Sequence, residues 1–541
     1  MIKLRRESPD LYRMAGWTAL LAVLAAGWYL RAKILFATEL IPGKNGAYYP
    51  VQVRALLRTG HLGIPDFPLL FWVQAVLAKT VSFFEPLHSA IIHTTKISDV
   101  FFPVLLVIPV YLLVTRFSRS SPKSTAIAGI LSVGIFTVTN RGLLEMAGEF
   151  QKNSTGLTVF LLFAYFLYRA LEDHQARRYS AALFFFCMAC LIHIGVTALS
   201  ISFFTIVMAT YIVRIKNRKR GLIIIAGVVA SLACCLTVVY LIDPERIRRL
   251  IGITFNLREL FAGSTTAQRP GIGPDHGVQF RTGKIVIGNI LGLMGIATII
   301  LDRKHLTHAS QSILIGGALT ALLFASPFIG GDWSERLGLM AFVPALIPLS
   351  YMSVRIRWGW FVTALLAVTM TFYTLKTFDR IPHEKLTVEA YRELTNTATS
   401  DNTLVIARHG LEWWAAWAMD VKIANNPETV LDVWDDYDTI LYLEETGNDA
   451  FTGNGGIQGV RGPRDMLPPE LIDGNMHMPF GPPPSFEGGM EPPPGRPEGD
   501  MQLISTLETS VLTEGKYFRL SEILYMPEIL DGQIPELRVK Y

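Results

Sequence analysis

The sequence predicts an α-helical polytopic membrane protein of about eleven transmembrane helices, with a small extracytoplasmic α/β domain after the last one. Three observations predict it. Half of the 541 residues are hydrophobic and only 17% are charged, against about 25% charged in soluble proteins. Several apolar runs reach 18 residues or more, enough to cross a hydrocarbon core of roughly 30 Å. Past residue 378 the long runs stop, and short alternating stretches bounded by turn residues replace them. The mean hydropathy of +0.35 fits the same class.

Apolar runs place the spans near 15–36, 98–115, 124–139, 154–170, 180–193, 195–213, 221–242, 284–301, 309–328, 335–353 and 358–377. The stretch from Ala181 to Val213 can be divided in more than one way. In this layout the short basic segments share one side: Lys3/Arg5/Arg6, Arg116/Arg119/Lys123, Arg169/Arg177/Arg178, Arg214/Lys216/Arg218/Lys219/Arg220, Arg303/Lys304 and Arg355/Arg357. The short loops opposite hold Arg141, Lys152 and Arg336. Positive charge stays inside, so the N-terminus is expected in the cytoplasm and the tail after Thr377 outside. A full span at Phe67–Phe84 would carry Arg116, Arg119 and Lys123 to the outer side. That segment therefore reads as an amphipathic helix lying on the surface within the first outer loop. The first apolar run lacks a small-residue cleavage site and reads as a retained anchor.

The net charge of +4 is spread over these loops and gives no footprint for nucleic acid. Cys187/Cys190 and Cys234/Cys235 lie inside apolar runs, where packing explains them better than metal or redox chemistry. Two parts follow: a membrane domain at 1–378 and an extracytoplasmic α/β domain at 379–541. In the latter, Asn402–Ala407, Thr439–Leu443 and Phe518–Leu524 read as strands and Leu411–Met419 as a helix. Residues 452–500, rich in Gly, Pro and Met, read as an extended or disordered insert. Met466, Met476, His477, Met478 and Met490 could bind a soft metal there, or form a low-complexity loop.

Polar groups at the outer ends of spans are costly, so each is a functional candidate. The first loop offers Lys44, Asn45, Tyr48, Tyr49, Arg54, His61 and Asp66. The second offers Glu145, Glu149, Gln151, Lys152 and Asn153. His193 ends a span, Arg269, Asp275, His276 and Arg281 lie in a later loop, and Asp332, Glu335 and Arg336 precede the last two spans. Acids and bases meeting at one lipid boundary suit an anionic lipid head group with a carboxylate as general base. Each has an ordinary reading too. Glu145 and Glu149 could share a solvated helix face. Arg336 could snorkel, and His193 could be a hydrogen-bonded core residue. Arg54 and Arg58 could meet lipid phosphate nonspecifically. Asp66 could cap the helix that follows, and Tyr48 and Tyr49 could be interface aromatics.

The first loop reads Asn45-Gly46-Ala47-Tyr48-Tyr49, Arg54-Ala55, Gly60, then Phe67-Pro68-Leu69-Leu70-Phe71-Trp72. This order resembles the C-type integral membrane glycosyltransferases, in the branch of protein O-mannosyltransferases and lipid A aminoarabinose transferases. Their pattern is Asp-Glu-x-x-Tyr, an Ala-Arg pair, Gly, then Pro-Pro-Leu with aromatics. Acidic residues in the second loop, Arg336 before Pro344 and Pro348, and a terminal α/β domain fit the same layout. The resemblance implies sugar transfer from a polyprenyl-phosphate donor on the outer face to a glycan, lipid or protein acceptor, in a bacterial inner membrane. The sequence departs from the family at one position. Where the family has its catalytic acid, this chain has Asn45, and an amide cannot take a proton from an acceptor hydroxyl. Asp66 is the first substitute, then Glu145 and Glu149. Asn45, Tyr48, Tyr49, Arg54, His61, His193 and Arg336 are the expected substrate-binding residues. No cofactor is expected; some relatives use a divalent ion, but no paired acidic motif here demands one. Two other functions stand beside this one: a non-catalytic polyprenyl-lipid or envelope-assembly protein, and a lipid or solute transporter. A transporter would show internal repeats and charge at mid-membrane; no repeat is evident.

Overall fold

A computed structural model of the chain describes residues 9–64, 66–215, 218–242, 274–329, 331–381, 385–397, 399–400, 402–424, 434–446, 450–452, 508–527 and 537–539. The chain divides into two compact units. One comprises Met1–Gly43 and Gln52–Pro382, the other Lys44–Val51 and His383–Tyr541. A short piece of the first outer loop therefore belongs with the C-terminal unit.

The first unit is mostly helical. Eight of its helices are long and apolar enough to cross a membrane: Tyr12–Leu35, Leu87–Ser120, Lys123–Glu145, Gln151–Asp173, Ile194–Arg214, Ile285–Asp302, Arg336–Arg355 and Gly359–Lys376. The chain is an integral membrane protein on that ground. The other three expected spans fall on the helices Ala176–Ile192, Arg218–Ile242 and His308–Phe324. The eight are counted among the described residues, and the expected eleven is not established. Leu69–Val81 is a separate helix of 13 residues, about 20 Å long and too short to cross. It buries Leu70, Phe71, Gln74, Ala75 and Ala78 along one face and exposes Trp72 and Val76.

The second expected span begins earlier than its hydropathy suggests, because Leu87–Val104 includes Lys96, Ser98 and Asp99. All three are buried, and each has a partner. The Lys96 ammonium donates to the carbonyls of Thr38 and Glu39 at 2.6 and 2.8 Å. The Ser98 hydroxyl donates to the Thr95 carbonyl and accepts from Gln74. Asp99 pairs with Arg31 at 2.5 Å, and neither side chain is exposed. Pro103 explains part of this geometry. A proline has no N–H to give to the carbonyl four residues back, so the Asp99 carbonyl is left to accept Arg31 Nε at 2.8 Å. Arg31 Nη1 reaches the Leu143 carbonyl at 2.6 Å, and the second Asp99 oxygen accepts the Gly148 amide at 2.7 Å.

That network fixes the turn from Arg141 to Phe150. Gly148 has φ +83°, a left-handed conformation that suits glycine. A Cβ there would collide with the Pro42 carbonyl. The turn is thus held against the end of the first helix before the chain enters Gln151–Asp173.

The bundle's other end is also cross-linked. Arg116 bridges Glu172 and Asp173 at 2.5 and 2.9 Å, and the Tyr351 hydroxyl donates to Asp302 at 2.5 Å.

The second unit is a small α/β sheet. Its strands are β1 (Lys385–Leu386), β2 (Thr403–Ala407), β3 (Lys422–Ala424), β4 (Thr439–Glu445), β5 (Phe451–Thr452), β6 (Glu508–Glu514), β7 (Phe518–Pro527) and β8 (Leu537–Val539). The main sheet runs β3-β2-β4-β7-β6, with β8 beside β7. β2 pairs in parallel with β3 and β4, and β7 antiparallel with β4. All five residues of β2 are buried, as expected for a central parallel strand. The helix Leu411–Met419 follows and buries Trp414 and Trp417. Residues 453–507, with Met466, Met476, His477, Met478 and Met490, lie outside the described residues.

Removing one partner of a buried pair strands the other charge, at a cost of roughly 3–5 kcal/mol. Arg31→Met should therefore collapse thermal stability in detergent, while exposed Lys33→Met should leave the melting temperature nearly unchanged.

Candidate functional site

Four charged or titratable side chains gather in the first unit where the turn enters Gln151–Asp173. Lys152, on the first turn of that helix, forms an ion pair with Asp66. The Lys152 side chain is 8% exposed and Asp66 17%, so solvent screens the pair little. The Lys152 ammonium also lies 5.2 Å from the centre of the Phe71 ring, a cation–π distance. The other Asp66 oxygen accepts the Phe67 amide at 2.6 Å. Pro68 stands at the N-cap of the Leu69–Val81 helix with no side-chain cap. Asp66 therefore does not cap that helix.

A second tie holds the two elements in register. Gln74 donates to Gln151 at 2.8 Å and to Ser98 at 2.9 Å. The residue before Lys152 is thus bonded to the helix that follows Asp66.

His193 is near enough to this pair to feel its charges. It breaks the chain between Ala176–Ile192 and Ile194–Arg214 with extended backbone, φ −164°. Its Nδ1 accepts the Gly195 amide at 3.0 Å and caps the second helix, which leaves Nε2 to carry the proton. Lys152, Asp66 and Arg336 are its charged neighbours. Arg336 is exposed, and its guanidinium lies 5.8 Å from the centre of the Phe150 ring.

Asp66, His193 and Arg336 are thus brought together, and Lys152 joins them. Lys152 stood among the second-loop charges but not among the expected site residues. Its signal was its place, three residues after Glu149 at the start of a span. Glu145 is 7% exposed and forms an i,i+4 ion pair with Arg141. Arg141 also reaches the Tyr373 hydroxyl at 3.3 Å. The Glu149 Cβ lies against Gly43. Arg54 sits half-buried on the helix Tyr48–Thr59, and His61 is exposed just after it.

Asn45, Tyr48 and Tyr49 belong to the second unit. Tyr48 meets Tyr49 edge-on at 5.4 Å and Trp413 at 4.7 Å. Gly410, at φ +99°, gives room to the Lys44 stem. In the same loop His409 Nδ1 is 2.9 Å from the buried Glu412 carboxylate, and Arg408 forks onto Glu445 at 2.8 and 2.9 Å.

Among the described residues no group of three or more His, Cys, Asp or Glu is arranged to hold a metal ion. The side chains of Asp275, His276, Arg281, Asp332 and Glu335, and residue Arg269, lie outside what is described.

No family model matches the chain, and no curated protein matches it. Among the solved structures similar to it are those of ArnT from Cupriavidus metallidurans bound to undecaprenyl phosphate and in the apo state. Each is 11% identical, covers 94% of this chain and 98% of its own, and has a TM-score of 0.39.

A double-mutant cycle should find Asp66 and Lys152 coupled. Hydrogen bonds to charged groups contribute about 1.5–3 kcal/mol. Unfolding in detergent should show the Asp66→Leu/Lys152→Met double variant costing less than the sum of the two single variants, because either single change leaves a charge behind.

Proposed function

We propose that the chain is a membrane glycosyltransferase that moves a sugar from a polyprenyl-phosphate donor to a glycan, lipid or protein acceptor. The observation that carries this reading is the convergence of Asp66, Lys152, His193 and Arg336 on one end of the bundle. The first-loop resemblance supports it. On this reading the bundle sits in a bacterial inner membrane with its N-terminus in the cytoplasm. On the same reading the C-terminal domain is periplasmic.

The residues divide the work by charge. The donor phosphate is an anion and suits Lys152 and Arg336. In an inverting displacement, the acceptor hydroxyl gives its proton to the Asp66 carboxylate. Its oxygen forms a bond to the anomeric carbon. The bond from that carbon to the phosphate oxygen breaks, and the polyprenyl phosphate leaves with the electron pair. Positive charge at Lys152 and Arg336 stabilises the leaving phosphate. His193, with its Nε2–H, donates to a phosphate or sugar oxygen. The step as written needs no cofactor.

Lys152 has two anions to choose between. With no donor it holds Asp66. A donor phosphate competes for it and frees the carboxylate, so the base becomes available when the substrate is present.

A second reading, a non-catalytic polyprenyl-lipid binder, is favoured by the same ion pair together with Asn45 at the family's acid position. One experiment separates the two. Purified protein in lipid is given a panel of radiolabelled polyprenyl-phosphate sugars, comparing wild type with Asp66→Asn. General-base catalysis contributes about 10²–10⁴-fold, so the variant should lose at least about a hundredfold in kcat while still binding polyprenyl phosphate. Unchanged transfer by the variant would move the base elsewhere. Lipid binding with no transfer from any donor would favour the binder.

A further inference from the structure

A surface groove runs between the first helix, Pro9–Leu35, and the helix Lys123–Val138. Met14, Ala15, Thr18, Ala19, Ala22, Ile127 and Leu131 line it, and it is a shallow, open groove of about 470 Å³. It is closed at one end. Val23 packs on Gly134, where an added Cβ would sit 3.1 Å from it, and one turn on Val138 packs on Gly27 at 2.8 Å by the same measure. The other end carries charge. The Lys123 ammonium lies 4.9 Å from the centre of the Tyr12 ring, and Arg13 and Lys123 are both exposed. By sequence Lys3, Arg5 and Arg6 lie just upstream, partly offset by Glu7 and Asp10.

An apolar channel that opens beside exposed cations matches one ligand chemistry: an acyl chain beneath an anionic head. Lining residues from Met14 to Ala22 span about 12 Å of helix, within one leaflet. The basic end is the side where positive charge collects and where anionic lipids attract it. This groove is far in sequence from the Asp66 cluster and shares no residue with it.

We propose that the groove seats one acyl chain of an anionic phospholipid from the leaflet at the basic end of the bundle, with Lys123 holding its phosphate and Tyr12 flanking the head group. The proposal does not depend on sugar transfer.

Native mass spectrometry of the full chain from nanodiscs of mixed phosphatidylglycerol and phosphatidylcholine tests it. Wild type should retain phosphatidylglycerol over phosphatidylcholine. Lys123→Gln should cut that retention about fivefold, the effect of one cation at a membrane surface, and Lys123→Arg should restore it. Ala22→Phe should reduce retention of the lipid by filling the groove. Both positions are exposed, so neither change touches the packed interior. Lys304→Gln, an exposed charge outside the groove, should have no effect. Equal retention of the two lipids by wild type, or wild-type retention by Lys123→Gln or Ala22→Phe, would overturn the proposal.

Discussion

The Arg31–Asp99 pair is fully buried within helices that cross the membrane, and the rest of the bundle's polar architecture depends on how its charges are satisfied. An unpaired charge at such a place is expensive. Here Arg31 spends its donors on the Asp99 carboxylate, the Asp99 carbonyl that Pro103 leaves open, and the Leu143 carbonyl. Asp99 spends its second oxygen on the Gly148 amide. Two helices and one turn are thereby tied at a single point. Because the partners are backbone groups as well as side chains, the pair fixes where the chain goes, beyond which charges meet.

The candidate cluster of Asp66 and Lys152 is downstream of that tie. The turn held by Arg31 and Asp99 delivers Gln151 and Lys152 at a helix start. Those two residues then take hold of the first loop through Gln74 and Asp66. A carboxylate in a loop is ordinarily mobile, and catalysis needs it within a fraction of an ångström of its working place. Asp66 gains its position from Lys152 and the Gln74 bond, with no help from a capping interaction of its own. The same ammonium that positions the carboxylate also occupies it. Positioning and restraint are one interaction in this site, and an anionic substrate is what would separate them.

Much of the fold was legible because it rests on local periodicity. Each of the eleven expected apolar runs falls on a helix. Leu411–Met419 is the helix expected, and the strands expected at Asn402–Ala407 and Thr439–Leu443 are β2 and β4 within two residues. Hydropathy misjudged the start of Leu87–Val104 because Lys96 and the residues before it read as loop, with the span starting only at Ser98. The partners of Lys96 and Asp99 (Thr38, Glu39, Arg31 and Gly148) lie far away in sequence. The site was legible in part. Asp66, His193 and Arg336 stood out in the sequence as polar groups at the ends of apolar runs. The Arg141–Glu145 pair was visible as an i,i+4 spacing, which Glu145 and Glu149 share. Nothing local foretold that Lys44–Val51 sorts with the second unit. That follows from tertiary packing, Tyr48 on Trp413 and the Lys44 stem on Gly410.

The central claim is that Lys152 exchanges the Asp66 carboxylate for a donor phosphate. A cryo-electron microscopy structure of the full chain in lipid with a polyprenyl-phosphate sugar bound tests it most directly. The account predicts the phosphate on Lys152 and Arg336, with Asp66 released and turned toward the anomeric carbon. A bound donor with the Asp66–Lys152 pair still closed, or a phosphate held away from Lys152, would contradict it.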